Sequence, residues 1–261
     1  MNASVLNTPT PTLADRVALV TGGAGGLGSA ICRALADEGA SVIVGFNKSS
    51  DDAHALSGKL RSTLKTQHHT AMAAPVTDSA ALITLADEIR TRYGRLDILV
   101  NCAGTTRFVA HPDLDSLDDA LIDDILATNV RGPFATARAF RVLLAQHGAG
   151  LIVNISSIAA VSAMGSNVMY CASKAALDNM TKSLARALAP TIRVISVSPG
   201  LVDTEFVKSL DPNWRCDQLA RTPLARLAAP AEVAQAVLAA ATHFTFSTGV
   251  IFSVDGGRQL A

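Results

Sequence analysis

Seven short runs rich in β-branched and aliphatic residues, each followed by a stretch of helical spacing, constrain the fold of this chain most. The runs cover 16–21, 41–46, 69–73, 96–101, 151–156, 192–197 and 250–254. They are near-continuously apolar rather than alternating, as strands are when both faces of a parallel sheet are covered. Between them, 27–38, 51–64, 79–92, 117–145, 169–189 and 231–242 combine helical periodicity with good helix formers. Gly132-Pro133 is expected to break the fourth of these into two pieces, because proline lacks a donor and crowds the preceding turn. The alternation predicts an α/β chain with a doubly wound sheet of about seven parallel strands and right-handed crossovers.

No linker, repeat or low-complexity run divides the sequence, so one domain over 14–261 is the economical reading. Residues 1–13 have neither a basic start nor an apolar core, and are expected to be a flexible tail. The longest irregular region is roughly 200–230, with Pro199, Pro212, Pro223 and Pro230; it reads as a substrate-covering loop or an oligomer contact. Phe206 and Trp214 within it suggest a partly apolar pocket, or packing between subunits.

The 49% apolar content leaves ample material for a core, and the net charge of zero argues against nucleic acid or an anionic membrane as partner. Residues 142–173 hold no charged side chain, yet Gln146, His147, Asn154 and Ser156 interrupt them, so they read as a buried strand with flanking loops and not as a membrane span. Cys32, Cys102, Cys171 and Cys216 are widely spaced, which fits reduced thiols and a cytoplasmic setting. Cys171 reads as a packing thiol. His68-His69 lacks a third ligand at metal spacing, so no metal site is expected.

After the first run comes TGGAGGLG, residues 21–28, leading directly into a helical pattern. Glycines there permit a tight turn, let backbone approach a pyrophosphate and present a helix N-terminus to an anion. A triphosphate-binding loop would need Gly-Lys-Ser/Thr at its end; here Gly28 is followed by Ser29. Tyr170 and Lys174 are four residues apart and share a helix face, and Ser157 lies thirteen residues upstream at the end of a predicted strand.

The spacing Thr21-Gly22-x-x-x-Gly26-Leu27-Gly28, with Asn101-Cys102-Ala103-Gly104, Asn129, Asn154–Ser157, Tyr170/Lys174, Pro199-Gly200 and Thr204, resembles the short-chain dehydrogenase/reductase family over about residues 14–258. The similarity extends in general terms to its 3-oxoacyl thioester reductases. Extended relatives such as epimerases are longer and space the glycines differently. The resemblance implies a Rossmann-type fold and a dinucleotide held by Thr21, Gly22, Gly26, Leu27, Gly28, Val76, Asn101, Ala103, Gly104, Tyr170, Lys174, Pro199, Gly200, Val202 and Thr204. It also implies a homo-oligomer, a tetramer or else a dimer, with apolar faces on the helices near 117–145 and 169–189.

After the second strand, family members that use NAD carry a carboxylate that bonds both ribose hydroxyls. Here the resemblance places Phe46 in that position, followed by Asn47, Lys48 and Ser49, which could donate to a 2′-phosphate. NADP(H) is therefore favoured over NAD(H), although Gly25 stands where many NADP-dependent relatives have a basic residue. The plain alternative is a turn with Ser49 or Ser50 as helix cap and Asp51 and Asp52 in the first turn. After the third strand, Pro75-Val76 replaces the family's Asp-Val, which leaves only a backbone contact from Val76 toward adenine.

Moving hydride to a ketone requires a proton for the developing alkoxide. A free tyrosine is only about 0.3% ionised near pH 7.5, and a neighbouring ammonium favours phenolate. Tyr170 is thus the expected general acid/base and Lys174 the group that lowers its pKa. Ser157 is expected to stabilise the substrate oxygen. The resemblance adds that Lys174 binds the nicotinamide ribose and that Asn129 supports the lysine through water. The expected activity is NADP(H)-dependent oxidoreduction of a small-molecule ketone or secondary alcohol. An NAD-dependent alcohol dehydrogenase of the same family is the first alternative, and a catalytically silent nucleotide-binding sensor the second.

Overall fold

The computed structural model describes residues 12–208 and 212–260; the side chains of Phe206 and Trp214 and residues 1–11 of the expected tail lie outside the described set. Leu13, at the end of that expected tail, is buried, and its N–H donates to Glu38 O at 2.9 Å.

Strands β1 (Val17–Thr21), β2 (Ser41–Phe46), β3 (Thr70–Ala73), β4 (Ile98–Asn101), β5 (Gly150–Ile155), β6 (Ile192–Pro199) and β7 (Ile251–Val254) form one sheet ordered β3-β2-β1-β4-β5-β6-β7. Every neighbouring pair is parallel. The seven apolar runs of the sequence thus become the seven strands.

Alternation along each strand supplies two cores. Val20, Val44, Val100, Val153 and Ile195 face one side, under α1 (Gly26–Asp37), α2 (Ser50–Lys59) and α10 (Pro230–Thr242). Leu19, Ile43, Leu99, Ile152 and Val194 face the other, under α3 (Ser79–Tyr93), α5 (Gly132–Ala145) and the C-terminal part of α7 (Val168–Leu188). Each such aliphatic side chain contributes about 1.5–3 kcal/mol on burial.

Helix α4 (Asp119–Leu126) does not break at Gly132-Pro133. It runs through a π-helical segment, Ala127–Arg131, into α5, with Pro133 in the first turn of α5. The wider turn absorbs the residue that proline cannot bond, so a register shift replaces the expected gap. Helix α2 stops at Lys59, short of the expected 64. The buried Gln67 captures the Thr63 and Leu64 N–H groups with Oε1 and donates Nε2 to Ala36 O and Ala40 O, which turns the chain away from the helix. The region 200–230 is partly ordered by α8 (Glu205–Lys208) and α9 (Pro212–Ala220), and a bridge joins Val202 to Ala228. A further short helix, α6 (Ala159–Ser162), follows β5.

Strand order reverses between β1 and β4, and the crevice at their carboxyl ends is where such sheets take ligands. A row of buried polar residues crosses the sheet there, in register: Thr21 beside Asn101, Asn101 beside Asn154, Asn154 beside Ser196. β1 and β4 end at this row, while β5 and β6 run past it to Ile155 and Pro199. No helix of the described residues is long and apolar enough to cross a membrane.

Candidate active site

The polar row is internally satisfied, which decides what its members can do. Thr136 Oγ1 donates to Asn101 Oδ1 at 2.7 Å, Asn101 Nδ2 to Asn154 Oδ1 at 2.9 Å, and Asn154 Nδ2 to Thr181 Oγ1 at 2.8 Å. Asn101, expected to meet the cofactor, therefore has its side chain committed to the framework. Thr21 is committed likewise: its Oγ1 accepts from Cys102 N–H at 3.1 Å and Ala103 N–H at 3.2 Å. These bonds draw the β1 and β4 exits together. A Cβ on Gly22, whose φ is +63°, would lie 2.9 Å from Ala103 Cα, so only glycine permits this approach.

Above it, Gly25 precedes α1 without any side-chain cap, and the helix has no acid in its first turn. The first intrahelical bond is Ser29 N–H to Gly25 O at 2.8 Å, which leaves the amides of Gly26, Leu27 and Gly28 ahead of the ladder. A Cβ on Gly28 would lie 2.3 Å from Gly22 O, so the turn closes only on a bare backbone. The Thr204 methyl stands 3.4 Å from where a Gly26 Cβ would be, which brings the segment after Pro199-Gly200 over the glycine loop. Free amides, a helix dipole and absent carboxylates fit the pyrophosphate of a dinucleotide.

At the end of β2, Phe46 packs obliquely on His54, and Asn47, Lys48 and Ser49 are exposed. Ser49 occupies the N-cap of α2, yet its hydroxyl makes no capping bond. Val76 is buried against the π segment: a Cβ on Gly132 would lie 2.9 Å from its Cγ2. Its side chain is thus committed, and only its backbone remains for a ligand.

Tyr170, Lys174 and Ser157 converge beside this crevice. Lys174 is buried, and its Nζ donates to Ile155 O at 2.9 Å and lies 5.7 Å from the Tyr170 ring centre. Burial lowers the Lys174 ammonium to about 8. Ser157 Oγ accepts from Ala159 N–H at 3.2 Å, whereas Ser156 turns inward toward Lys174 O. The Tyr170 phenol is raised above its ordinary value, chiefly by burial, with the Ser157 hydroxyl working against the shift. This departs from the lowered phenol expected from its neighbouring lysine: burial sets the direction of the shift.

Asn129 sits in the π segment and does not touch Lys174. Its Oδ1 accepts from Thr105 N–H at 2.9 Å, and its Nδ2 donates to Thr105 O at 3.0 Å and Ser173 Oγ at 3.2 Å. Gly104 lies between the two: a Cβ there would be 3.4 Å from Asn129 Oδ1 and 3.9 Å from Lys174 Nζ. Ser173 and Asn167, which the sequence reading missed, hold the Tyr170 backbone at both ends. Ser173 Oγ donates to Tyr170 O at 2.7 Å, and Asn167 Oδ1 accepts from Tyr170 N–H at 2.7 Å. The N-cap pattern of an asparagine three residues before the tyrosine was the available signal. Cys171 is buried and its thiol is pushed up by that burial, so it packs and stays protonated.

The family model for short chain dehydrogenases matches residues 16–214. The chain is 35% identical to the 3-oxoacyl-acyl-carrier-protein reductase of Escherichia coli K12, covering 94% of this chain and 98% of that protein. It is 36% identical to the cis-4-hydroxycyclohexanecarboxylate dehydrogenase of Sinomonas cyclohexanicum, covering 94% and 96%. A solved short-chain type dehydrogenase/reductase from Mycobacterium ulcerans superposes with a TM-score of 0.89 at 26% identity, covering 95% of this chain and 91% of that one.

Proposed function

The chain belongs to the short-chain dehydrogenase family and is an oxidoreductase acting on an alcohol or ketone, and we propose that it uses NADP(H) on a neutral, largely apolar carbonyl compound. The observation that carries the reading is the convergence of Ser157, Tyr170 and the buried Lys174 beside a glycine loop with free helix-start amides.

The bound dinucleotide supplies or accepts the hydride. The amides of Gly26, Leu27 and Gly28 would hold its pyrophosphate, and Lys174 its nicotinamide ribose. Asn47, Lys48 and the uncapped Ser49 hydroxyl would donate to a 2′-phosphate, with no carboxylate at Phe46 to repel it.

Ser157 orients the substrate oxygen and stabilises its growing charge. Tyr170 gives its phenolic proton to that oxygen during reduction and takes it back during oxidation. A phenol raised by burial keeps its proton at neutral pH, the form that donates in reduction. Lys174 tunes the phenol by the field of its ammonium. Asn129 acts less directly, by fixing the Thr105 backbone next to Gly104, the residue that lies by Lys174 Nζ.

The apolar character of the substrate is read from the rim. Val161 and Met164 are exposed on the segment between Ser157 and Tyr170, and Phe108 on the loop bonded to Ser166 and Asn167. Arg107 is paired with Asp118 and bonded to Ser116 O, Arg215 is paired with Asp203, and Lys208 with Glu205. Each of these cations is already paired with a carboxylate, although Arg215 Nε is buried without a partner. The chain would work in a reducing compartment such as the cytoplasm, where its four free thiols persist, and as a homo-oligomer through the exposed Phe134 and Val142 of α5.

The test is a panel of neutral ketones, 3-keto esters, hydroxy acids and polyols, followed by absorbance of the reduced cofactor, with Tyr170→Phe beside the wild type. Turnover of neutral ketones that vanishes in Tyr170→Phe supports the reading. A preference for charged substrates, or a variant near wild-type rate, overturns it.

A further inference from the structure

The N-terminus of α7 is fastened to a loop sixty residues away in sequence through a single buried side chain. Asn167 is 1% exposed. Its Oδ1 caps the helix by accepting from Tyr170 N–H at 2.7 Å, and its Nδ2 donates to Thr106 Oγ1 at 3.2 Å and Arg107 O at 2.8 Å. Around it the same two segments are joined again. The Thr106 and Ser166 hydroxyls lie 2.6 Å apart, Val109 N–H donates to Ser166 O at 2.8 Å, and His111 Nε2 meets Gly165 O at 3.3 Å.

A helix cap alone does not ask for this residue. Serine or aspartate caps as well, and at an exposed position the unused atoms would face water. Asn167 uses its oxygen for the cap and its amide hydrogens for the loop at once. Aspartate cannot donate, and serine is too short to span both. On the far side of the loop, Asn129 grips Thr105 through both backbone groups and reaches Ser173, whose hydroxyl holds the Tyr170 carbonyl. Tyr170 is thereby tied at its N–H to Asn167, which bonds the loop directly, and at its C=O to Ser173, which reaches the loop through Asn129. Phe108, between the two Asn167-linked and Ser166-linked residues of that loop, is largely exposed.

We propose that Asn167 is a positioning residue that couples the loop 105–109 to Tyr170, so that substrate contact on the loop sets where the phenol stands. The proposal rests on the acid/base reading of Tyr170 and adds to it a specificity element remote from the reacting atoms. A displacement of about 1 Å at the phenol is enough to cost a large factor in rate, so the coupling needs only a small movement.

The experiment compares Asn167→Ser and Asn167→Asp, which keep a cap and lose the bonds to the loop, with wild type and Tyr170→Phe. Only two tyrosines are present, so ring-labelled tyrosine gives two assignable resonances, with Tyr170→Phe identifying one. Melting temperature and binding of reduced cofactor are followed alongside. In both Asn167 variants the Tyr170 resonance is expected to shift or broaden while Tyr93 stays, with melting temperature and cofactor affinity near wild type. Turnover of ethyl acetoacetate, or of the ketone reduced fastest in the panel, should fall about tenfold to a hundredfold in kcat. An unmoved Tyr170 resonance, or a resonance change that only accompanies a matching fall in melting temperature, overturns the coupling. Tyr170→Phe with normal turnover would remove the acid/base reading instead, and the resonance arm would still decide whether Asn167 sets the position of the ring.

Discussion

Lys174 donates its Nζ to the carbonyl of Ile155, at 2.9 Å, from a site that removes its ammonium from water. Burial holds the group at about 8, below its ordinary 10.5. Below pH 8 both folded and unfolded chains carry the proton, and the fold bears the full cost of the buried charge. Between about 8 and 10.5 the folded chain releases the proton first, so this group's contribution to stability rises with pH across that window. Lys174→Met is therefore expected to melt about 2–4 °C higher than wild type at pH 7 while losing nearly all turnover. Differential scanning calorimetry at pH 7 and 9.5 checks it: the gain should shrink at the higher pH.

The Ser157 hydroxyl opposes the upward pull of burial on the Tyr170 phenol. In the reductive direction the protonated phenol is the active form, so the rate should stay level through neutral pH and fall only above the ordinary tyrosine range. In the oxidative direction the phenolate is needed, and the rate should climb with pH. Removing the hydroxyl in Ser157→Ala takes away the group that opposes the effect of burial on the phenol. The oxidative limb should move to higher pH, and kcat should fall about a hundredfold or more. Paired pH–rate profiles measure both effects.

The strands were legible because a parallel sheet buried on both faces leaves seven nearly unbroken apolar runs, and the polar row marks where β1 and β4 stop. The glycine loop and the Ser157, Tyr170 and Lys174 trio were legible because local spacing places them at strand ends and on one helix face. Other properties arise only from distant partners. The side chain of Asn101 is committed to Thr136 and Asn154, from positions 35 and 53 residues away, which leaves its backbone for a cofactor. The raised phenol of Tyr170 follows from burial, which spacing does not report. Helices α8 and α9 were hidden because that stretch is proline-containing and polar, with no apolar stripe to read.

Cofactor choice turns on the end of β2, where Phe46 stands in place of a carboxylate and Lys48 and Ser49 are exposed with no bond that occupies the serine. Phe46→Asp introduces an acceptor for both ribose hydroxyls and a charge that repels a 2′-phosphate. The ratio of kcat/KM for NADPH over NADH is expected to fall at least about tenfold, a change near 1.4 kcal/mol. Steady-state kinetics with each cofactor read it directly. A wild type that already prefers NADH would overturn the assignment of the cofactor.

At the opposite end of the sheet, Asp97 joins β1 to the start of β4 and lies far from the reacting groups in register. Its Oδ1 accepts from Arg16 Nη1 at 2.9 Å and Arg95 Nη2 at 2.7 Å, and its Oδ2 from Arg95 Nε at 2.8 Å and Val17 N–H at 2.9 Å. Burial opposes the charge, but the bonds from Arg95, Val17 and Arg16 outweigh it and hold the carboxyl below its ordinary value. That contribution is complete above the unfolded carboxyl value near 4 and is lost as pH falls through the lower folded one. Asp97→Asn keeps the shape but removes the charge beside two guanidinium groups, and is expected to cost about 2–4 kcal/mol at pH 7. Urea midpoints should show the deficit at pH 7 and a narrowing gap as the pH drops below the carboxyl range. Turnover by the folded fraction should be unchanged, because no atom of this cluster reaches the crevice where Tyr170 acts.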